Sequence, residues 1–376
     1  MIVTPFREVL PMSIIEANLD ILRSLVYGGA VLGCGGGGKI EDGLARGQLA
    51  LSRGVVRIAD INEFDPNDMI VTVSSVGSPK SATRYIEPEY YIRSLQVFEK
   101  HSGEKIRGVI TCENGAAGSV NGWLHASSSP DLFVVDAPAN GHAHPTGLMG
   151  AMGLHRDHGY VSKQSIVGGN PALRQYSEIY AEGSLDSCSN LARRAADLAG
   201  GVVAVVRNPV PAKFVRKNAA IGGLSYAISI GRAMLDAGKS PISIVESAAK
   251  VAGGTVLAKG KIEKSVLWTE NAFDYGSFQI LEDGKAYIIS FMNEYMTLDL
   301  HGTRIATFPD LIMVFDAATG RPLPSSQIAD DQEVYLIMVP HDNMPLGKSM
   351  YCSELFDTVE EKLHVQMKQY LPKEKQ

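Results

Sequence analysis

The chain has 376 residues, of which 45% are hydrophobic and 20% charged, with a formal net charge of −6. Such a composition belongs to a globular protein long enough for a large core and two domains, and the acidity without a basic run excludes a nucleic-acid surface. No apolar run reaches the roughly 18 residues that a membrane span needs.

The opening residues carry Pro5 and Glu8 and lack an apolar leader segment, so no secretory signal is expected. Cys34, Cys112, Cys188 and Cys352 are too widely spaced for a Cys-x-x-Cys site. They fit reduced thiols, and a cytoplasmic location is expected.

Ser13 and Glu16 form a capping box, and Ile14, Ile15, Leu19, Leu22 and Val26 recur at helical spacing, which predicts a first helix running to Tyr27. Residues 33–38 then read Gly-Cys-Gly-Gly-Gly-Gly. Four consecutive glycines raise the entropy cost of folding and bury no side chain, so such a run suits a backbone in unusual conformations or close to a ligand. A flexible turn is the alternative. The loop is no Walker A motif, because no Gly-Lys-Ser/Thr follows it. A helix over residues 39–53 ends at Gly54.

Apolar strands are predicted at 69–73, 108–112 and 132–135, with helical segments near 88–101 and 120–127 between them. This alternation implies right-handed crossovers and a largely parallel sheet. Further along, 176–198 reads as helix, 202–206 as strand, and 224–236 and 242–252 as helices. From Thr255 the texture changes to short strands at 256–262, 278–281, 286–291, 295–300, 311–315 and 333–339, separated by turns such as Asp283-Gly284 and His301-Gly302. That pattern predicts an antiparallel barrel or sandwich. A terminal helix is predicted over 353–369. The expected architecture is an α/β domain over 1–253, a β-rich domain over 254–345, and a C-terminal helix within 346–376 packing back on the α/β domain.

Polar residues follow three of the strands: Ser74 to Ser78, Glu113 and Asn114, and Asp136 to Asn140, leading on to His142 and His144. In open α/β sheets ligands bind at the carboxyl ends of strands, so these exits mark a candidate site beside Gly35, Gly36, Gly37 and Gly38. Glu113 and Asp136 each end an apolar strand, where partial desolvation would raise a carboxyl toward acid–base use; a structural helix cap is the other reading. Cys34, inside the loop, reads either as an activated thiol or as a small buried filler. His142-x-His144 matches a metal-ligand spacing, with His155, His158, Glu113 or Asp136 completing a Zn²⁺-type site. Loop histidines that orient substrate are the alternative, since spacing alone matches by chance.

Several segments together resemble the S-methyl thiohydantoin desulfurase family, which is associated with hydantoinases and oxoprolinases. The matching pieces run from Gly28 through Gly38, then Gly77-Ser-Pro79, Glu113-Asn-Gly115 and Val135-Asp136, followed by Gly141-His-Ala-His-Pro145. They continue with Gly222 to Ala227, Gly231-Arg-Ala233, and Phe308 to Asp316 with Thr319-Gly320. The chain departs from the family pattern at Cys34, Lys39, Asn114, Ala116, His142, His144 and Thr146, where the family's usual arginine and glutamate near the site are missing.

The resemblance implies an enzyme that adds water to a small cyclic amide or thioamide of the hydantoin type, with loss of sulfide or thiol. Glu113, Asp136, His142 and His144 would carry the chemistry. Cys34, Gly35 to Gly38, Ser78, Asn114 and Asn140 would bind substrate. No redox or nucleotide cofactor is required, and a divalent metal at His142 and His144 is the one cofactor considered. The expected partners are a small-molecule substrate and further copies of the same chain. A non-catalytic partner subunit of a hydantoinase-like complex is the rival reading.

Overall fold

A computed structural model describes residues 13–77, 85–270 and 273–373. Among the described residues the first half builds an eight-stranded sheet from β1 (Ile14–Glu16), β2 (Arg57–Ala59), β3 (Met69–Gly77), β4 (Ile106–Thr111), β5 (Phe133–Val135), β6 (Ser162–Gly168), β7 (Ser177–Gly183) and β8 (Val202–Pro211), in the order β1-β2-β5-β4-β3-β8-β6-β7. Its central strands β2, β5, β4 and β3 are parallel, while β1 pairs antiparallel with β2 and β8 pairs antiparallel with both β3 and β6. The sheet is therefore mixed, and the largely parallel expectation holds for one half only.

The difference has two sources. Residues 162–183 form the β6–β7 hairpin, whose second strand occupies the start of the predicted 176–198 helix. The all-apolar run opening β8 then enters the sheet in the opposite sense to β3. The first helix also starts later than expected. Ile14 and Ile15, β-branched and short of helix propensity, pair with Ala59 and Ile58 as strand β1, and the helix is capped by Asn18, whose side chain accepts from Ile21 N–H at 2.9 Å.

Helices α1 (Leu19–Leu32), α2 (Ile40–Arg53), α3 (Pro88–Ser102), α4 (Trp123–Ser127), α5 (Leu185–Leu198), α6 (Ala212–Asn218) and α7 (Gly223–Asp236) accompany this sheet, and α8 (Pro241–Val251) packs between α7 and strands of the second unit. Helices α1 and α7 pack with backbones in contact: a Cβ on Gly28 would collide with Ala227 O, and one on Gly231 with Ser24 O. Side chains there would force the helices apart.

The second unit is wholly antiparallel. Strands β9 (Thr255–Glu270), β10 (Phe273–Glu282), β11 (Lys285–Met292), β12 (Glu294–Leu300), β13 (Thr303–Thr307), β14 (Leu311–Asp316) and β15 (Glu333–Val339) lie in the order β13-β12-β11-β10-β9-β15-β14. The sheet curls so that β12 approaches β14, giving a half-barrel. Asp283-Gly284 and His301-Gly302 take left-handed φ values, +47° and +80°, +51° and +74°, as two-residue hairpin turns demand. Chain residues beyond β15 form a shorter helix than expected, α9 (Asp357–Leu363), flanked by single 3₁₀ turns. Met350, Phe356, Val359 and Met367 there pack with Met149, Tyr275, Met296 and Phe308. No helix among the described residues is long and apolar enough to cross a membrane.

Candidate active site

The glycine run joins α1 to α2 and is held on both sides. Cys34 has φ +53°, and Gly35, Gly37 and Gly38 have φ +93°, +73° and +86°, a left-handed path that side chains strain. On the half-barrel side, Tyr295 N–H donates to Cys34 O at 2.6 Å, Ser325 N–H donates to Gly35 O at 2.9 Å, and the Cys34 thiol donates to Ile312 O at 3.2 Å. On the α/β side, Gly37 O accepts from Ala117 and Gly118 N–H. Carbonyls of the loop are thus engaged, whereas the N–H groups of Gly35, Gly37 and Gly38 meet no acceptor among the described residues.

The loop walls a cavity of about 310 Å³ between the two units. The other walls are Ser74 to Gly77 at the end of β3, Cys112 and Glu113 after β4, the His144–Gly147 turn, Ser189 and Arg193 of α5, Arg207 of β8, and Asn293 and Glu294 at the start of β12. Such a volume suits a small molecule.

Glu113 presents a side chain only 18% exposed, and burial pushes its carboxyl up to about 7 against the lowering effects of His144 N–H and the Arg207 guanidinium. His144 N–H donates to Glu113 Oε2 at 3.3 Å, and the ring Nε2 lies 3.6 Å from the same oxygen. Burial drives the His144 ring down to about 4, so it is neutral at physiological pH. Glu294 is buried beneath Gly36, its Oε2 without a hydrogen-bond partner among the described residues. Burial, and then the charge of Glu113, raise its carboxyl well above the ordinary range. Two carboxyls that share a cavity and ionise one after the other can place a base and an acid at the same bound molecule. A Cβ at Gly36 would collide with Glu294 Oε1, so the glycine there makes room for a carboxyl.

Of the residues picked from the sequence, the cavity receives Glu113, His144 and Gly35 to Gly38. The others serve its frame. Asp136 accepts from Leu224 N–H at 2.7 Å, Ser225 N–H at 3.2 Å and the Ser225 hydroxyl, so its carboxylate caps α7 instead of facing the cavity. Asn114 donates to Gly141 O at 3.0 Å and Gly223 O at 2.8 Å, tying three loops together. Asn140 donates to His142 O and accepts from Gly141 and Gly347 N–H. Cys34 is fully buried, its thiol pushed up to about 12, which suits the filler reading and not a nucleophile. Ser78 lies outside the described residues.

The two histidines expected to share a metal stand in different settings. His142 is fully buried with Nδ1 2.8 Å from Ala143 O and Nε2 3.0 Å from Pro309 O, so neither nitrogen is free to share an ion with His144. His155 instead meets Glu354 at 3.0 Å, near Cys352, but that carboxylate is already engaged by Arg156.

Sequence reasoning missed Glu294, Arg207, Arg193 and Ser189. Arg207 closes the apolar run that opens β8, the same signal that marked Glu113. Glu294 carries no such signal, because it sits among ordinary strand residues and only docking of the half-barrel buries it.

A family model for the N-terminal domain of S-Me-THD-like proteins matches residues 20–166, and one for the C-terminal domain matches residues 184–346. A crystal structure of a protein from Chromobacterium violaceum superimposes with a TM-score of 0.67 at 19% sequence identity, covering 87% of this chain and 92% of that one. At that identity the likeness is one of fold alone. No curated protein matches the chain.

Proposed function

The chain belongs to the S-methyl thiohydantoin desulfurase-like family, and from that premise we propose that it is an enzyme that adds water to the sulfur-bearing ring carbon of an S-methyl thiohydantoin or a closely related cyclic amide. The observation that carries this reading is the pair of buried carboxyls, Glu113 and Glu294, lining one cavity beside the unengaged glycine N–H groups.

Ionised Glu113 takes a proton from water as its oxygen bonds to the C=N carbon. Negative charge developing on the ring is met by the N–H groups of Gly35, Gly37 and Gly38, an oxyanion-hole arrangement. Protonated Glu294 then supplies the proton to the departing sulfur as the C–S bond breaks. The products are the hydantoin and methanethiol, and the overall balance is substrate plus one water. His144 orients Glu113 through its backbone N–H, while its ring is held by the Cys112 carbonyl.

The test is thiol release, read with a chromogenic disulfide, from a panel of S-methylated thiohydantoins. Wild type is expected to release thiol. Glu113→Gln and Glu294→Gln, checked as folded by circular dichroism, are expected to lose roughly 10²–10⁴ in rate, the range for removing a general acid or base. No release from any panel member by wild type overturns the reading.

A further inference from the structure

The cavity wall also carries two cations that form no ion pair among the described residues. Arg207 is only 8% exposed, yet its Nε has no hydrogen-bond partner among the described residues. Arg193, on α5, lies 4.8 Å over the Phe273 ring and makes no ion pair among the described residues. Arg193 is held below the ordinary range by burial and then by the charge of Arg207. Bringing two guanidinium groups together in a poorly hydrated wall costs free energy unless an anion joins them. Glu113 feels the Arg207 charge but makes no ion-pair contact with either arginine among the described residues.

Local structure aims these groups at one spot. Ser189 and Arg193 stand four residues apart on α5, so they share a helix face. Arg207 pairs across with Thr72 of β3 just before the register of β8 slips, and Asn208 after it takes φ +55°. Bulges of this kind re-aim side chains. A Cβ built on Gly147 would lie 3.0 Å from Ser189 Oγ and 3.7 Å from Arg207 Nη1, so the glycine leaves both groups open to the cavity.

We propose that Arg207, Arg193 and Ser189 form an anion subsite that binds a carboxylate carried by the substrate. A carboxylate fits better than a phosphate, because a doubly charged headgroup would gather both charges at one point in the cavity that Glu113 and Glu294 share. The planar guanidinium fork matches the two oxygens of a carboxylate. That the carboxylate belongs to a cyclic amide rests on the function proposed above; the subsite itself does not.

Calorimetry tests it with three probes: hydantoin-5-acetate, its neutral analogue hydantoin-5-acetamide, and the ring-free anion glutarate. Wild type is expected to bind the acid about 10- to 100-fold more tightly than the amide, the span for a charge-assisted contact. In Arg207→Gln that preference should collapse to within about twofold, and it should weaken in Arg193→Gln, whose half-buried place on α5 makes it the gentler substitution for folding. Glutarate binding that is lost in either arginine variant supports the subsite even if neither hydantoin binds, in which case the ring assignment alone falls. Equal binding of acid and amide by wild type overturns the subsite. So does failure of both glutarate and hydantoin-5-acetate to bind.

Discussion

Replacing Glu113 with glutamine keeps its shape and removes its titration, which isolates what burial does to this carboxyl. Burial lifts the group from 4.5 to about 7, and a displacement of that size corresponds to about 3 kcal/mol between its protonated and ionised forms. A carboxyl raised in the folded state adds stability that is complete below its unfolded value of 4.5 and is lost as pH rises through about 7. Wild type should therefore weaken relative to Glu113→Gln across that window, by up to about 3 kcal/mol at pH values near 9. Urea denaturation at a series of pH values, followed through the fully buried Trp123, measures the difference directly. Glu294 titrates in both proteins, but the Glu113 charge raises it, so the difference reports Glu113 together with its coupling to Glu294. Arg207 holds Glu113 down, and in Arg207→Gln the same transition should move to higher pH. A difference between wild type and Glu113→Gln that stays flat from acid to alkaline pH would refute the claim that a desolvated carboxyl faces this cavity.

Two other substitutions separate site from frame. Gly36→Ala places a methyl against Glu294 Oε1; it should displace that carboxyl, cost about 1–3 kcal/mol of stability as overpacking does, and abolish thiol release, and an active Gly36→Ala protein would show that the close approach is unimportant. Asp136→Ala strips three hydrogen bonds from the start of α7; it should lower unfolding stability by about 2–4 kcal/mol while leaving ligand affinity of the surviving folded protein within about threefold of wild type, and a selective loss of binding without loss of stability would return Asp136 to the site.

The parts of the site that could be read from the sequence are those written in local chemistry. A glycine run cannot hide, and a carboxylate at the end of an apolar strand marks Glu113 without any knowledge of its neighbours. The same signal also selects Asp136, because a strand exit serves equally well to cap a helix arriving from elsewhere, here α7. Which use it receives depends on a contact 88 residues away along the chain. Glu294 and Ser189 are legible only after assembly, since their burial or placement comes from one unit docking on another. The sheet divides likewise. The parallel strands follow from alternation of strand and helix, whereas the direction of β8 depends on the β6–β7 hairpin and α5 before it, and the opening residues 202–206 of β8 are apolar on both faces whichever way they run. Ile14 and Ile15 fit helical spacing, but their pairing with β2 prevailed because β-branched residues gain more from a sheet edge than from a first helical turn.

The Cys34 thiol reaches a carbonyl of β14, and the two peptides after it are bonded to β12 and to Ser325. The glycine loop is thereby riveted to the half-barrel while its other side is fastened to the turn after β4. Neither half of the molecule owns the cavity. A fragment ending before β9 would keep Glu113 and lose Glu294, and its loop would lose the bonds that keep its N–H groups facing the ligand. Sequence drift on one side of this seam must be matched on the other, so the two halves are bound to change as one heritable unit.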